Sequence, residues 1–152
     1  MNYLIDTNVL IRSLSPAHAE FAVADGAIAE LRKQGATLHL VAQNLYEYWV
    51  VATRPVADNG FGLSAQDTTL ELKRLRNLYA ELADSSAVLD EWELLVTSLG
   101  VMGKNAHDAR LVAAMKVYGI THLLTFNLKD FQRYTQITVQ APSDVVPKLA
   151  AE

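Results

Sequence analysis

Tyr3-Leu4-Ile5-Asp6-Thr7-Asn8-Val9-Leu10-Ile11 is an apolar strand that runs straight into an acid. A lone buried carboxylate is costly unless it is paired or holds a metal, and nothing in the strand offsets that cost. Thr7 and Asn8 follow at once, and both can hold a turn through side-chain hydrogen bonds. In parallel α/β sheets, ligands bind outside the carboxyl ends of strands. Asp6 therefore stands where a functional group is expected, and the question is which other acids converge on it.

Working outward, Ser15-Pro16 suits a helix start. Phe21, Ala24, Ile28 and Leu31 then recur at helical spacing until Gly35. Residues 37–41 read as a short strand. Residues 43–53 are apolar nearly all round, which predicts a buried helix stopped by Pro55. Asn59-Gly60-Phe61-Gly62 marks a turn-rich loop. Ser64 with Asp67 resembles a capping pattern for a helix reaching about Leu82. Ala87-Val88-Leu89 is a candidate strand, after which Asp90 caps a helix through Leu99. A further helix spans residues 106–118 and ends at Gly119. Residues 120–126 read as a buried strand and 137–139 as a short last one. Strands alternating with helices predict an α/β fold: a three-layer α/β/α domain with a central, mostly parallel sheet. At 152 residues the chain is expected to form one domain, 1–152.

Three further features place polar groups where they are costly or convergent. Glu47 shares its helical face with Val50 and Val51, unusual for an acid in so apolar a helix. Asp108 lies on the stripe of Leu111, Val112 and Met115, at a helix N-terminus. The helix dipole favours an anion there by about 0.3–1 kcal/mol, too little to offset burial of a charge. Asn127 directly follows a strand, and Asp130 comes three residues later. In a parallel sheet, Asp6, Glu47, Asp108 and Asn127 all fall on the edge where strands finish and helices start. Oxygen ligands of this kind suit Mg²⁺ or Mn²⁺. Zinc is disfavoured, since the chain has no cysteine and no His pair at zincin spacing.

Each residue also has an ordinary reading. Asp6 can form a turn at a strand end, Glu47 can pair with Arg54, Asp108 can serve as a first-turn acid, and Asn127 and Asp130 can be loop residues. The convergence of all of them argues for the metal site. Other chemistries fail sooner: no Gly-rich phosphate loop occurs and no G-x-S-x-G elbow. The net charge of -4 does not advertise a nucleic-acid binder, but a cluster of metal-binding acids subtracts from that sum. No signal peptide and no membrane span is read, so a cytoplasmic protein is expected.

In its motifs the chain resembles the PIN-domain family, of the kind found as the toxin of VapBC-type toxin–antitoxin pairs. The resemblance runs through Leu4-Ile5-Asp6-Thr7-Asn8-Val9-Leu10, Glu47 in its apolar helix and His107-Asp108-Ala109 opening a helix. It closes with Thr125-Phe126-Asn127-Leu128-Lys129-Asp130-Phe131. Ala52-Thr53-Arg54-Pro55 and Asn59-Gly60-Phe61-Gly62-Leu63-Ser64 also match a recurrent form of these proteins. The resemblance implies a metal-dependent endoribonuclease that cleaves RNA, with Mg²⁺ or Mn²⁺ held by Asp6, Glu47 and Asp108. The fourth acidic position of many members falls on Asn127, with Asp130 close by. Thr7, Asn8 and Thr125 would be supporting groups, with Asn8 orienting Asp6 and Thr125 near the metal water. A homodimer and a cognate antitoxin are implied as partners, and Trp49, Tyr79 and Trp92 are aromatic candidates for that contact. Two other readings stay open: a PIN-like module that binds RNA or protein with little activity, and a structure-specific DNA nuclease.

Overall fold

A computed structural model describes residues 1–146, and residues 147–152 lie outside it. Five parallel strands form the sheet in the order β3-β2-β1-β4-β5. They are β1 (Asn2–Ile5), β2 (Thr37–Val41), β3 (Ala80–Leu82), β4 (His122–Leu124) and β5 (Thr138–Gln140). The chain builds outward from β1 to β3, then crosses to the other side of β1 for β4 and β5. The strand order thus reverses between β1 and β4, the place where open α/β sheets leave a crevice.

Helices cover both faces. On one side lie α1 (Thr7–Ser13), α2 (Phe21–Lys33), α3 (Ala42–Thr53) and α4 (Ala65–Leu78), packed with Tyr3 and Ile5. On the other, α5 (Ser86–Leu99) and α6 (Asn105–Tyr118) pack with Leu4, Val41 and Leu123. Tyr3 and Ile5 facing one layer and Leu4 the other is the period-2 alternation of a strand buried on both sides. A short α7 (Pro142–Val145) lies beyond β5. The α/β/α architecture with a parallel sheet is as expected from the sequence.

Several boundaries differ from that reading. Thr7 and Asn8 open α1 instead of forming a turn, with Asp6 as the N-cap residue. Burial of Val9, Leu10 and Ile11 holds this short helix despite its β-branched residues. Ser15 and Pro16 precede a loop, and the next helix begins at Phe21. The helix capped by Ser64, whose Oγ accepts from Asp67 N at 3.0 Å, ends at Leu78. Leu82 continues the helical spacing by accident, because it is buried as a residue of edge strand β3 paired to Val41. Ala87-Val88-Leu89 is the first turn of α5, not a strand: Ser85 caps it, and Ala87 and Leu89 are exposed. Strand pairing in the 120–126 stretch is confined to β4. The helix α3 is buried on one face only, since Tyr46 and Val50 are exposed.

Asn44 ties the site's two main elements together. It is fully buried; its Nδ2 donates to Ile5 O at 3.1 Å and Thr7 Oγ1 at 2.9 Å, and its Oδ1 accepts from Val41 N at 2.8 Å. The end of β1 and the start of α3 are thereby fixed against each other. Asn44→Ala leaves these groups without partners in a dry interior and is expected to cost about 2–3 kcal/mol, read by urea unfolding. A loss under about 0.5 kcal/mol would show that the tie carries no stability.

Candidate functional site

Asp6 directly follows β1; its backbone N–H donates to Leu124 O at 2.9 Å and its carbonyl accepts from Val9 and Leu10 at 3.1 Å. The side chain is 8% exposed. Thr125, directly after β4, donates from Oγ1 to Asp6 Oδ2 at 2.7 Å. Asn8 donates to the same oxygen at 3.4 Å and to Thr125 Oγ1 at 3.3 Å, while its own Oδ1 accepts from Phe126 N at 3.2 Å. Thr125 Oγ1 also accepts from Asn127 N at 3.0 Å. This network clamps the ends of β1 and β4 together across the reversal in strand order. Asn8 and Thr125 thus both donate to the Asp6 carboxylate.

Asp6, Asn8, Glu47, Asp108 and Asn127 line one cleft of about 310 Å³, together with Arg12. Of the residues read from the sequence, Thr7 also borders this cleft. Asp130 does not: it is exposed in the 3-10 turn of Leu128–Phe131, but lies close enough to Asp108 to disfavour its ionisation. Asn127 borders the cleft alongside Asp6, Glu47 and Asp108, and Asp130 does not.

The electrostatics are dominated by carboxylates, with burial acting on them more strongly than any neighbouring cation. Burial raises the Asp6 pKa to about 6; the hydrogen bond from Thr125 and the backbone N–H of Thr7 pull it down, while Asp108 and Glu47 push it up. Asp108 is also raised, first by burial and then by Asp130 and Glu47. No ion pair among the described residues involves Asp6, Glu47 or Asp108. The alternative pairing of Glu47 with Arg54 does not form.

Gln43 is a site residue that sequence reasoning misses. It is buried one turn before Glu47, and its Nε2 donates to Glu47 Oε1 at 2.8 Å and to His107 O at 3.2 Å. It therefore couples Glu47 on α3 to the residue preceding Asp108 on α6. Its only sequence signal is a Gln–Glu pair at i, i+4. The aromatic candidates do not form an exposed set. Tyr79 is buried under the Arg32 guanidinium, 4.8 Å from the ring centre, and Trp92 donates to Ala106 O at 2.7 Å. Tyr46, at 64% exposure, is far more open.

Among the described residues no three His, Asp or Glu side chains stand close enough to enclose a metal ion by themselves. The donor set still fits a hard divalent cation that keeps water ligands. It consists of oxygens alone, Glu47 raises the pKa of both Asp6 and Asp108, and no salt bridge among the described residues ties up any of the three carboxylates.

A model of the PIN domain matches residues 3–136, and the chain belongs to the PIN-domain family. That family is one of nucleases, and its members generally use divalent metal ions. No curated protein sequence matches the chain. Among solved structures the fold is similar to VapBC-1 from nontypeable Haemophilus influenzae (18% identity, TM-score 0.68, covering 94% of this chain and 99% of that one). It is also similar to VapBC2 from Rickettsia felis bound to a promoter DNA fragment (16%, 0.67, 93% and 98%). A toxin–antitoxin complex from Klebsiella pneumoniae gives 21% identity and a TM-score of 0.63, with 92% and 97% covered. No helix among the described residues is long and apolar enough to cross a membrane.

Proposed function

We propose that the chain is a metal-dependent endoribonuclease and the toxin of a type II toxin–antitoxin pair. The observation that carries this reading is Asp6: a nearly buried carboxylate, clamped by Thr125 and Asn8, facing a cleft shared with Glu47 and Asp108, with no salt bridge to it among the described residues. Likeness in fold to VapBC complexes supports the toxin assignment and an antitoxin partner.

Asp6, Glu47 and Asp108 would hold a Mg²⁺ or Mn²⁺ ion, with Asn127 offering a neutral oxygen. Such an ion supplies Lewis-acid activation of water and charge for the leaving oxygen of a phosphodiester. The chain's own part is orientation. Thr125 and Asn8 commit Asp6 Oδ2, and among the described residues no side chain donates to Oδ1. Gln43 holds Glu47 in the rotamer that keeps it beside the N-terminus of α6. With Asn127 in place of a fourth carboxylate and Asp130 outside the cleft, the donor set suits one ion.

Expression of the chain alone is expected to arrest bacterial growth, and co-expression with its neighbouring small gene product to relieve the arrest. The purified protein should cut unstructured RNA in Mg²⁺ or Mn²⁺ and leave flap DNA of matching sequence intact. Harmless expression together with preference for DNA would contradict the assignment.

A further inference from the structure

The acidic cleft opens into a larger groove of about 850 Å³. The two share Ile11, Arg12 and Val51, so the groove starts at the rim of the cleft. Its lining includes Arg12, His18, Arg54, Asn59, Gly60 and Phe61, and no acidic side chain. Its charge is thus opposite to that of the cleft.

Arg54 is built into this surface. Its Nη2 donates to Asn59 O at 3.2 Å, and its Nε is buried with no partner. Gly62 N donates to its carbonyl at 2.9 Å, and a Cβ on Gly60 would lie 1.9 Å from that same oxygen. Only glycine lets the loop close on Arg54, and closure fixes where its side chain leaves the backbone. Arg12 stands beside Glu20 at 3.6 Å, with both side chains more than a third exposed. Exposed pairs of this kind are weak and easily exchanged for another anion. The ring of His18 accepts Glu20 N at Nδ1, which leaves Nε2 available. Lys104 and Lys129 are exposed but line neither the cleft nor the groove.

A polyanion cut at the acidic cleft needs its flanking phosphates neutralised nearby, since cations set the affinity of nucleic-acid binding. We propose that this groove is the path of the RNA strand flanking the scissile phosphate, with Arg12 and Arg54 binding its backbone phosphates. Phe61 borders the groove while packing in part against the core, and the groove takes a single strand whose backbone lies against Arg12 and Arg54. The inference rests on the nuclease reading above and assigns the strand's course within it.

The test measures binding of a fluorescent, unstructured RNA dodecamer to the full chain carrying Asp6→Asn, in Mg²⁺, over a range of salt. Arg12→Gln and Arg54→Gln on that background are each expected to weaken binding about 5–20-fold. Each should also flatten the log–log salt slope by about 0.7. Arg54→Lys should keep the slope, and Lys104→Gln and Lys129→Gln should bind as the parent does. Should Arg54→Gln fail to fold, RNA carrying 4-thiouridine is crosslinked to the parent protein, and crosslinks are expected in residues 11–18 or 54–61. Unchanged affinity and slope in both arginine variants, or crosslinks confined to other faces, in a protein whose wild type cuts RNA, overturns the strand path alone. A wild type that neither binds nor cuts RNA overturns the nuclease reading and this inference with it.

Discussion

Asp6→Asn is expected to make the metal-free protein more stable at pH 7.5 while removing its cleavage of RNA. Burial places the Asp6 pKa at about 6, against about 3.9 in an unfolded chain. A group raised on folding contributes its stability below the unfolded pKa, and that contribution is lost as pH rises through the folded one. Between pH 4 and 7 the metal-free protein should therefore lose about 2–3 kcal/mol through Asp6. The asparagine does not ionise, and its oxygen can still accept from Thr125 and Asn8. Its midpoint of thermal unfolding at pH 7.5 is expected to lie about 5–10 °C above the wild type's in EDTA. Added Mn²⁺ should raise the wild-type midpoint and leave the variant's nearly unchanged, because binding stabilises only the state that holds the ion. Metal affinity should rise as pH increases through 6, since the carboxyl must lose its proton to bind. Equal midpoints for the two proteins in EDTA would show that Asp6 is not held as an uncompensated anion.

The second large effect falls at Asp108. Asp108→Asn removes one carboxylate of the cleft without filling space, and cleavage is expected to fall about 10³-fold, on the scale of several kcal/mol of charge stabilisation by a bound metal. Affinity for uncut RNA in EDTA should rise at the same time, because the empty cleft of Asp6, Glu47 and Asp108 repels a polyanion. A simple folding defect would lower both quantities. Opposite movement of rate and affinity therefore separates a metal ligand from a structural acid. If both remain at wild-type values, Asp108 has no part in the site.

Much of this site is legible in the amino-acid sequence alone. An acid that ends an apolar strand is costly, and so is an acid on an apolar helical stripe, so Asp6 and Asp108 stand out against their surroundings. The strand alternation that places Tyr3 and Ile5 against α1–α4 and Leu4 against α5 and α6 is equally visible as a continuous apolar run. Geometry across distant segments is not legible in this way. Nothing local says that Gln43 reaches the carbonyl of His107, 64 residues away. That Asn127 borders the cleft while Asp130, three residues on in the 3-10 turn, does not is likewise invisible in the local sequence. Helix α1 is illegible for another reason: seven residues with Thr, Val and Ile have little helical preference, and packing of Val9, Leu10 and Ile11 decides the outcome. Ala87-Val88-Leu89 reads wrongly as a strand because a three-residue apolar run carries no period, and the Ser85 cap decides for helix.

Fold and chemistry meet at the reversal between β1 and β4. The hydrogen bond from Thr125 to Asp6 spans that reversal, so the element that closes the sheet also aims the carboxylate. On the proposed reading a divalent ion would relieve the repulsion among the carboxylates of the cleft, and stability in EDTA and activity with metal would be opposite faces of one arrangement. The most direct test follows initial rates of cleavage of an unstructured RNA while Mn²⁺ is titrated into metal-free wild type, Asp6→Asn and Asp108→Asn. Saturable, metal-dependent cleavage by the wild type, lost in both variants, is the predicted result; cleavage that persists in EDTA, or in both variants at wild-type rates, would contradict it.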